Sequence, residues 1–154
     1  MILPDYLLRQ WASNGGIEPF DPDCINPASV DLRLATNHVI GLNGWEHRGS
    51  VSLYLVTGDP VLVSTVEYIK VPRDCAGVLY LKSSLARQGL DHALAGYCDP
   101  GFTGSLTLEL HAHCPIILHH NQRIVQLVLH RLEASPKSTY HGRYQDQTGP
   151  TPAR

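Results

Sequence analysis

Apolar and polar residues alternate with period two along Val30-Asp31-Leu32-Arg33-Leu34 and again along Ser105-Leu106-Thr107-Leu108-Glu109-Leu110. That spacing belongs to strands with one face on a core and the other on solvent. Val61-Leu62-Val63, Gly77-Val78-Leu79-Tyr80-Leu81 and Ile124-Val125-Gln126-Leu127-Val128-Leu129 are shorter β-branched or leucine-rich runs and predict further strands. Gly, Pro, Asn and Asp punctuate them at 41–44, Gly58-Asp59-Pro60, Pro72-Arg73-Asp74 and Asp99-Pro100-Gly101. Helical spacing is confined to the first dozen residues. Pro4-Asp5 opens that helix, Tyr6, Leu7, Leu8 and Trp11 give it an apolar face, and Asn14-Gly15-Gly16 stops it. Many short strands with almost no helix predict a sandwich, barrel or jelly roll. From about Ala134 the chain turns polar and Gly/Pro-rich, the composition of a mobile arm outside the core. There is no internal repeat.

Composition narrows the picture. At 154 residues the chain fits one domain. Twelve Lys plus Arg against fourteen Asp plus Glu leave no global basic field, so no nucleic-acid partner is expected and any anion site is local. The four cysteines, Cys24, Cys75, Cys98 and Cys114, show no C-x-x-C spacing and follow no secretory leader, which predicts reduced thiols and a cytoplasmic location. Uncharged runs are interrupted before membrane-spanning length, so no membrane partner is expected.

The densest chemistry lies in Lys82-Ser83-Ser84-Leu85-Ala86-Arg87, where two cations and two hydroxyls within six residues are the donors phosphate oxygens want. A short gap leads to the turn Asp99-Pro100-Gly101-Phe102 and then to Glu109, a carboxylate among leucines. Periodicity alone places Glu109 on the solvent side of its strand, but a carboxylate in so apolar a run is costly unless paired or protonated. Together these residues suggest a phosphorylated ligand beside a general base. Nine histidines include the pairs His111/His113 and His119/His120. No cysteine or carboxylate stands at ligand spacing beside them, and a His/Cys-x-Glu with Pro-Cys-x-x-Cys set is missing, so no zinc is predicted.

Four runs in order, Ile25 to Leu34, KSSLARQGL from Lys82, DPGFTGSLTLEL from Asp99 and Arg143 to Pro152, resemble the dCTP deaminase branch of the trimeric dUTPase superfamily. The resemblance implies a mainly β fold, a double-stranded β-helix or jelly-roll-like dUTPase-type barrel with a short N-terminal helix, over residues 1–134. Residues 135–154 would form a C-terminal lid. It implies a homotrimer with active sites between subunits, in a bacterial or phage-infected cytoplasm, with Mg²⁺ arriving on the triphosphate of a dCTP or dUTP nucleotide.

On that resemblance Glu109 is the catalytic base, and Lys82, Ser83, Ser84 and Arg87 hold the triphosphate from a neighbouring subunit. Lys82 replaces the usual arginine, keeping the charge and losing bidentate geometry. Asp99 would accept from the 3′-hydroxyl, and Phe102 would pack on the sugar and exclude a 2′-hydroxyl. Ala95 would hold the water through its carbonyl. Leu94 stands where many deaminases have threonine, which bears on dTTP feedback. The stretch between Arg87 and Asp99 is one residue shorter than usual. Tyr140, Arg143 and Gln147 would fold over the phosphates. The implied reaction is hydrolytic deamination of dCTP to dUTP and ammonia without zinc. The alternatives are a bifunctional dCTP deaminase/dUTP diphosphatase giving dUMP, using Asp99 or a nearby water, and a deaminase of a 5-substituted dCTP. A plain dUTPase is disfavoured by the missing glycine-rich C-terminal phosphate motif, and a non-catalytic nucleotide binder by Glu109 and the lid.

Overall fold

The structure is a computed structural model and describes residues 1–93 and 95–153. One short helix, α1 (Asp5–Trp11), precedes the strands β1 (Ile17–Glu18), β2 (Ile25–Asn26), β3 (Ser29–Gly41), β4 (Glu46–Arg48), β5 (Ser52–Leu55), β6 (Val61–Lys70) and β7 (Cys75–Leu81). A single-turn helix, α2 (Ser83–Ala86), leads to β8 (Leu90–His92), β9 (Tyr97–Cys98), β10 (Thr103–Ala112), β11 (Ile116–His119) and β12 (Arg123–Arg131). Ten strands form one antiparallel sheet in the order β8-β10-β6-β3-β12-β7-β9, with β1 on β6 and with β2 and β4 on β3; β5 and β11 make a separate pair. This is the mainly β, curled architecture that the strand and turn pattern predicts.

The sheet curls because β3 serves two partners. Its first half pairs with β12 (Leu32 opposite Val125) and its second half with β6 and β4, across a break in register between Ala35 and Ile40. Leucines and isoleucines from all the long strands meet inside. Leu32, Leu34, Ile69, Leu108, Leu110, Ile124, Leu127 and Leu129 are fully buried, so truncating one to Ala costs ~2–5 kcal/mol. Leu8 of α1 joins them, and Trp11 donates its indole N–H to the Lys70 carbonyl at 2.9 Å. Tyr6 does not join the apolar face, being 66% exposed. At 3.6 residues per turn it lies ~200° round the helix from Leu8.

Two features depart from the sequence pattern. The acidic member of β3 does not face water. Asp31 is 1% exposed, and so is Glu67 on β6. Lys82 covers the first, and Arg33 the second through a 2.6 Å ion pair and a backbone N–H. The polar tail, in turn, lies along β10 as a strap. β8 pairs with β10 only from Leu110 to Ala112, leaving the edge at 103–107 open, and the strap fills it. Asp146 N–H donates to Thr103 O at 2.8 Å, Ser105 N–H to Gln147 O at 3.0 Å, and Thr151 N–H to Thr107 Oγ1 at 3.0 Å. Among the described residues no helix is long and apolar enough to cross a membrane.

Candidate active site

The strand β10 sends Leu106, Leu108 and Leu110 into the core and Thr107 and Glu109 to the other face. That second face is roofed. Tyr144, Gln147, Thr151 and Ala153 of the strap close over it, while Leu42, Leu62 and Ala95 form the walls, enclosing about 460 Å³ around Glu109. The solvent-side placement from periodicity is therefore half right: the side chain leaves the core but enters a mostly apolar pocket. Burial pushes its carboxyl above the ordinary glutamate value, with a backbone amide and His92 on neighbouring β8 pulling weakly the other way. A carboxyl that holds its proton more readily than an exposed glutamate is what such a setting makes.

Ala95 and Gln147 are the other predicted site residues in this pocket. Gln147 is tied down there, its amide nitrogen donating to Ser105 O at 2.8 Å. Leu94 lies outside the described residues. Asp99 and Tyr140 frame a second cavity of about 350 Å³ with Pro100, Pro136 and His141. Phe102 is buried beneath it and meets the Tyr140 ring edge-on at 5.7 Å, so its ring belongs to the floor that links the turn to the strap. Gly101 at φ +81° makes that approach, with Thr139 where a Cβ would stand. Arg143 is exposed.

The segment expected to bind phosphate stands elsewhere. Lys82 precedes α2, and Ser83, Ser84 and Arg87 are exposed around it, but none of the four lines the Glu109 pocket. Within one chain Glu109 and these cations are separate. His111 and His113 sit with rings 4.9 Å apart, and His120 accepts from the Thr36 N–H; among the described residues no group of three His, Cys, Asp or Glu is placed to hold a metal ion. Thr107 and Tyr144 line the pocket and were missed by sequence reasoning. The signal for Thr107 was its two-residue spacing from Glu109; Tyr144 carried none. The buried ions Asp31 and Glu67 were missed too, although each is a carboxylate inside an apolar run, the same sign that exposed Glu109.

Fold and site together define a curled antiparallel barrel with a carboxylate in a strap-roofed pocket. Two solved structures share that fold. A 2′-deoxycytidine 5′-triphosphate deaminase from Agrobacterium tumefaciens superposes with a TM-score of 0.74 at 24% identity over 83% of this chain, which spans 47% of that chain's length. A Staphylococcus bacteriophage 80alpha dUTPase matches with a TM-score of 0.51 at 13% identity, over 77% of this chain and 82% of its own. Residues 2–132 match the family described as dCTP deaminase-like. The chain belongs to that family. Relatives named "dCTP deaminase, dUMP-forming" are 39% identical in Acidothermus cellulolyticus and 38% in Thermobifida fusca, covering all of this chain and 95% and 92% of theirs. Those alignments span 181 positions against 154 residues here, so the relatives carry residues within the shared region that have no counterpart in this chain.

Proposed function

We propose that the protein deaminates dCTP and then cleaves the product to dUMP and pyrophosphate. The observation that carries this reading is the end-to-end similarity to dUMP-forming relatives, which favours the bifunctional alternative over release of dUTP. Glu109 takes a proton from a water as the water attacks C4 of the cytosine. It passes that proton to N3, then carries the proton of the new C4 hydroxyl to the amino group, so that the C4–N bond breaks, ammonia departs and the C4 carbonyl of uracil forms. Its burial and raised carboxyl support this role, because a base of ordinary acidity would hold the proton too weakly to pass it on. A second water then attacks the triphosphate, splitting dUTP into dUMP and pyrophosphate. Asp99 stands at the ribose end, and the strap excludes bulk water during both steps.

The separation of Ser83, Ser84 and Arg87 from Glu109 within one chain supports a homotrimer in which each phosphate segment serves a neighbour's pocket. Magnesium enters as part of the triphosphate substrate, bound through phosphate oxygens and water. Deamination uses no zinc in this scheme. Incubating the protein with Mg²⁺ and dCTP, 5-methyl-dCTP or dUTP, and separating the nucleotides by chromatography, tests the reading. Conversion of both dCTP and dUTP to dUMP is expected. Accumulation of dUTP from dCTP, with added dUTP untouched, restores the monofunctional deaminase; consumption of dUTP alone makes the protein a dUTPase.

A further inference from the structure

Lys82 heads the segment assigned to the triphosphate, yet its ammonium is already engaged. Lys82 Nζ donates to Asp31 Oδ2 at 2.6 Å, and Asp31 is 1% exposed. The other carboxylate oxygen accepts from Asn26 Nδ2 at 2.9 Å, and Arg123 Nη1 stands off at 3.9 Å. The hairpin of β2 and β3, with Asn26 opposite Ser29, is what brings Asn26 onto Asp31. The Lys82 backbone is held as well. Its N–H donates to Ile124 O at 3.0 Å, and its carbonyl accepts from Leu85 and Ala86 at 2.9 and 3.1 Å, so α2 starts from it.

Lys82 is thus tied to β12 by its backbone and to β3 by its side chain, whereas Ser83, Ser84 and Arg87 point outward from that fixed origin. A buried carboxylate stripped of its cation loses more than an exposed phosphate contact returns, so the pair persists when nucleotide arrives. We infer that Lys82 is an anchor and not a phosphate ligand, and that Asp31 is a positioning residue which, through Lys82, holds Ser83, Ser84 and Arg87 in the shape that receives the triphosphate. This rests on the proposed function for its substrate and on geometry alone for the anchor.

The two roles for Lys82 predict opposite signs. If Asp31 merely restrained a phosphate-binding ammonium, Asp31→Asn would release it and tighten binding. As an anchor, Asp31→Asn and Lys82→Met each raise KM for Mg-dCTP about tenfold by loosening the segment, with kcat within about twofold. The double variant, which leaves neither buried charge, is no worse than either single change. A lowered or unchanged KM in Asp31→Asn, or additive losses in the double variant, overturns the inference. Amide hydrogen exchange without nucleotide gives an independent readout: residues 83–89 exchange at least several-fold faster in the double variant, while the β10 amides keep their wild-type rates. Unchanged exchange at 83–89 refutes the anchor whatever the protein does to dCTP. Accelerated exchange in a protein inert toward dCTP keeps the anchor and removes the proposed function.

Discussion

In the proposed reaction Glu109 is the general base, and its environment makes two separable predictions. Glu109→Gln keeps the shape of the side chain and removes the base, so turnover of dCTP falls by ~10²–10⁴ while nucleotide binding is retained. Steady-state rates against nucleotide affinity check this. The second prediction concerns stability. Burial raises the folded-state pKa above the unfolded one, so the favourable contribution of this group is complete below the ordinary glutamate range and lost as pH rises through the raised value. Above the raised value the ionised side chain is a liability. Glu109→Gln therefore melts at or above the wild-type temperature at neutral pH, and the gap closes on acidification; a variant less stable at neutral pH contradicts the desolvated setting. Glu109 was singled out in the sequence as a lone carboxylate in an apolar strand, but periodicity alone favoured the solvent side and only the family resemblance suggested a base. Asp31 and Glu67 gave the same signal, but their partners Lys82 and Arg33 lie 51 and 34 residues away, and period-two spacing carries no information at that separation.

At the scale of elements the strap roofs the Glu109 pocket, and one acidic residue fastens it. Asp146 sits at φ 58°, a left-handed conformation that aspartate tolerates better than most residues. Its carboxylate accepts from Thr103 Oγ1 and, at 2.9 Å, from Tyr68 OH. These bonds, Thr103 foremost, hold its pKa below the usual aspartate value, so the latch is intact above that range and weakens as pH falls through the lowered value. Tyr68→Phe with Asp146→Asn is expected to speed trypsin cleavage at the exposed Arg143 several-fold at neutral pH, and wild type approaches the variant's rate in acid. Equal rates at neutral pH contradict a latch. Ending the chain after Ser138 removes Tyr140 and Tyr144, which pack on the core margin, so the truncated protein folds with a lower Tm and lacks activity. The strap was readable as a polar, Gly/Pro-rich run, expected from composition to be a mobile arm. Its docking was not, because it depends on an edge of β10 left open by the three-residue β8.

For the whole molecule, the proposed function makes oligomerisation part of the chemistry, because Ser83, Ser84 and Arg87 stand outside the Glu109 pocket of their own chain. Light scattering is expected to give about three times the 17.0 kDa chain mass, with activity lost on dilution in step with the trimer; a fully active monomer contradicts active sites shared between chains. The strand pattern and turn residues foretold the β architecture, since every interior strand had its own apolar run. They understated β3 and β6, whose buried carboxylates Asp31 and Glu67 are covered by ion pairs rather than solvent. The most direct test of the central claim is stoichiometric: the protein, Mg²⁺ and dCTP alone, with ammonia and pyrophosphate measured from one reaction. Bifunctional turnover predicts one ammonia and one pyrophosphate per dCTP consumed, with dUMP as the nucleotide product. Ammonia without pyrophosphate, or neither, contradicts it.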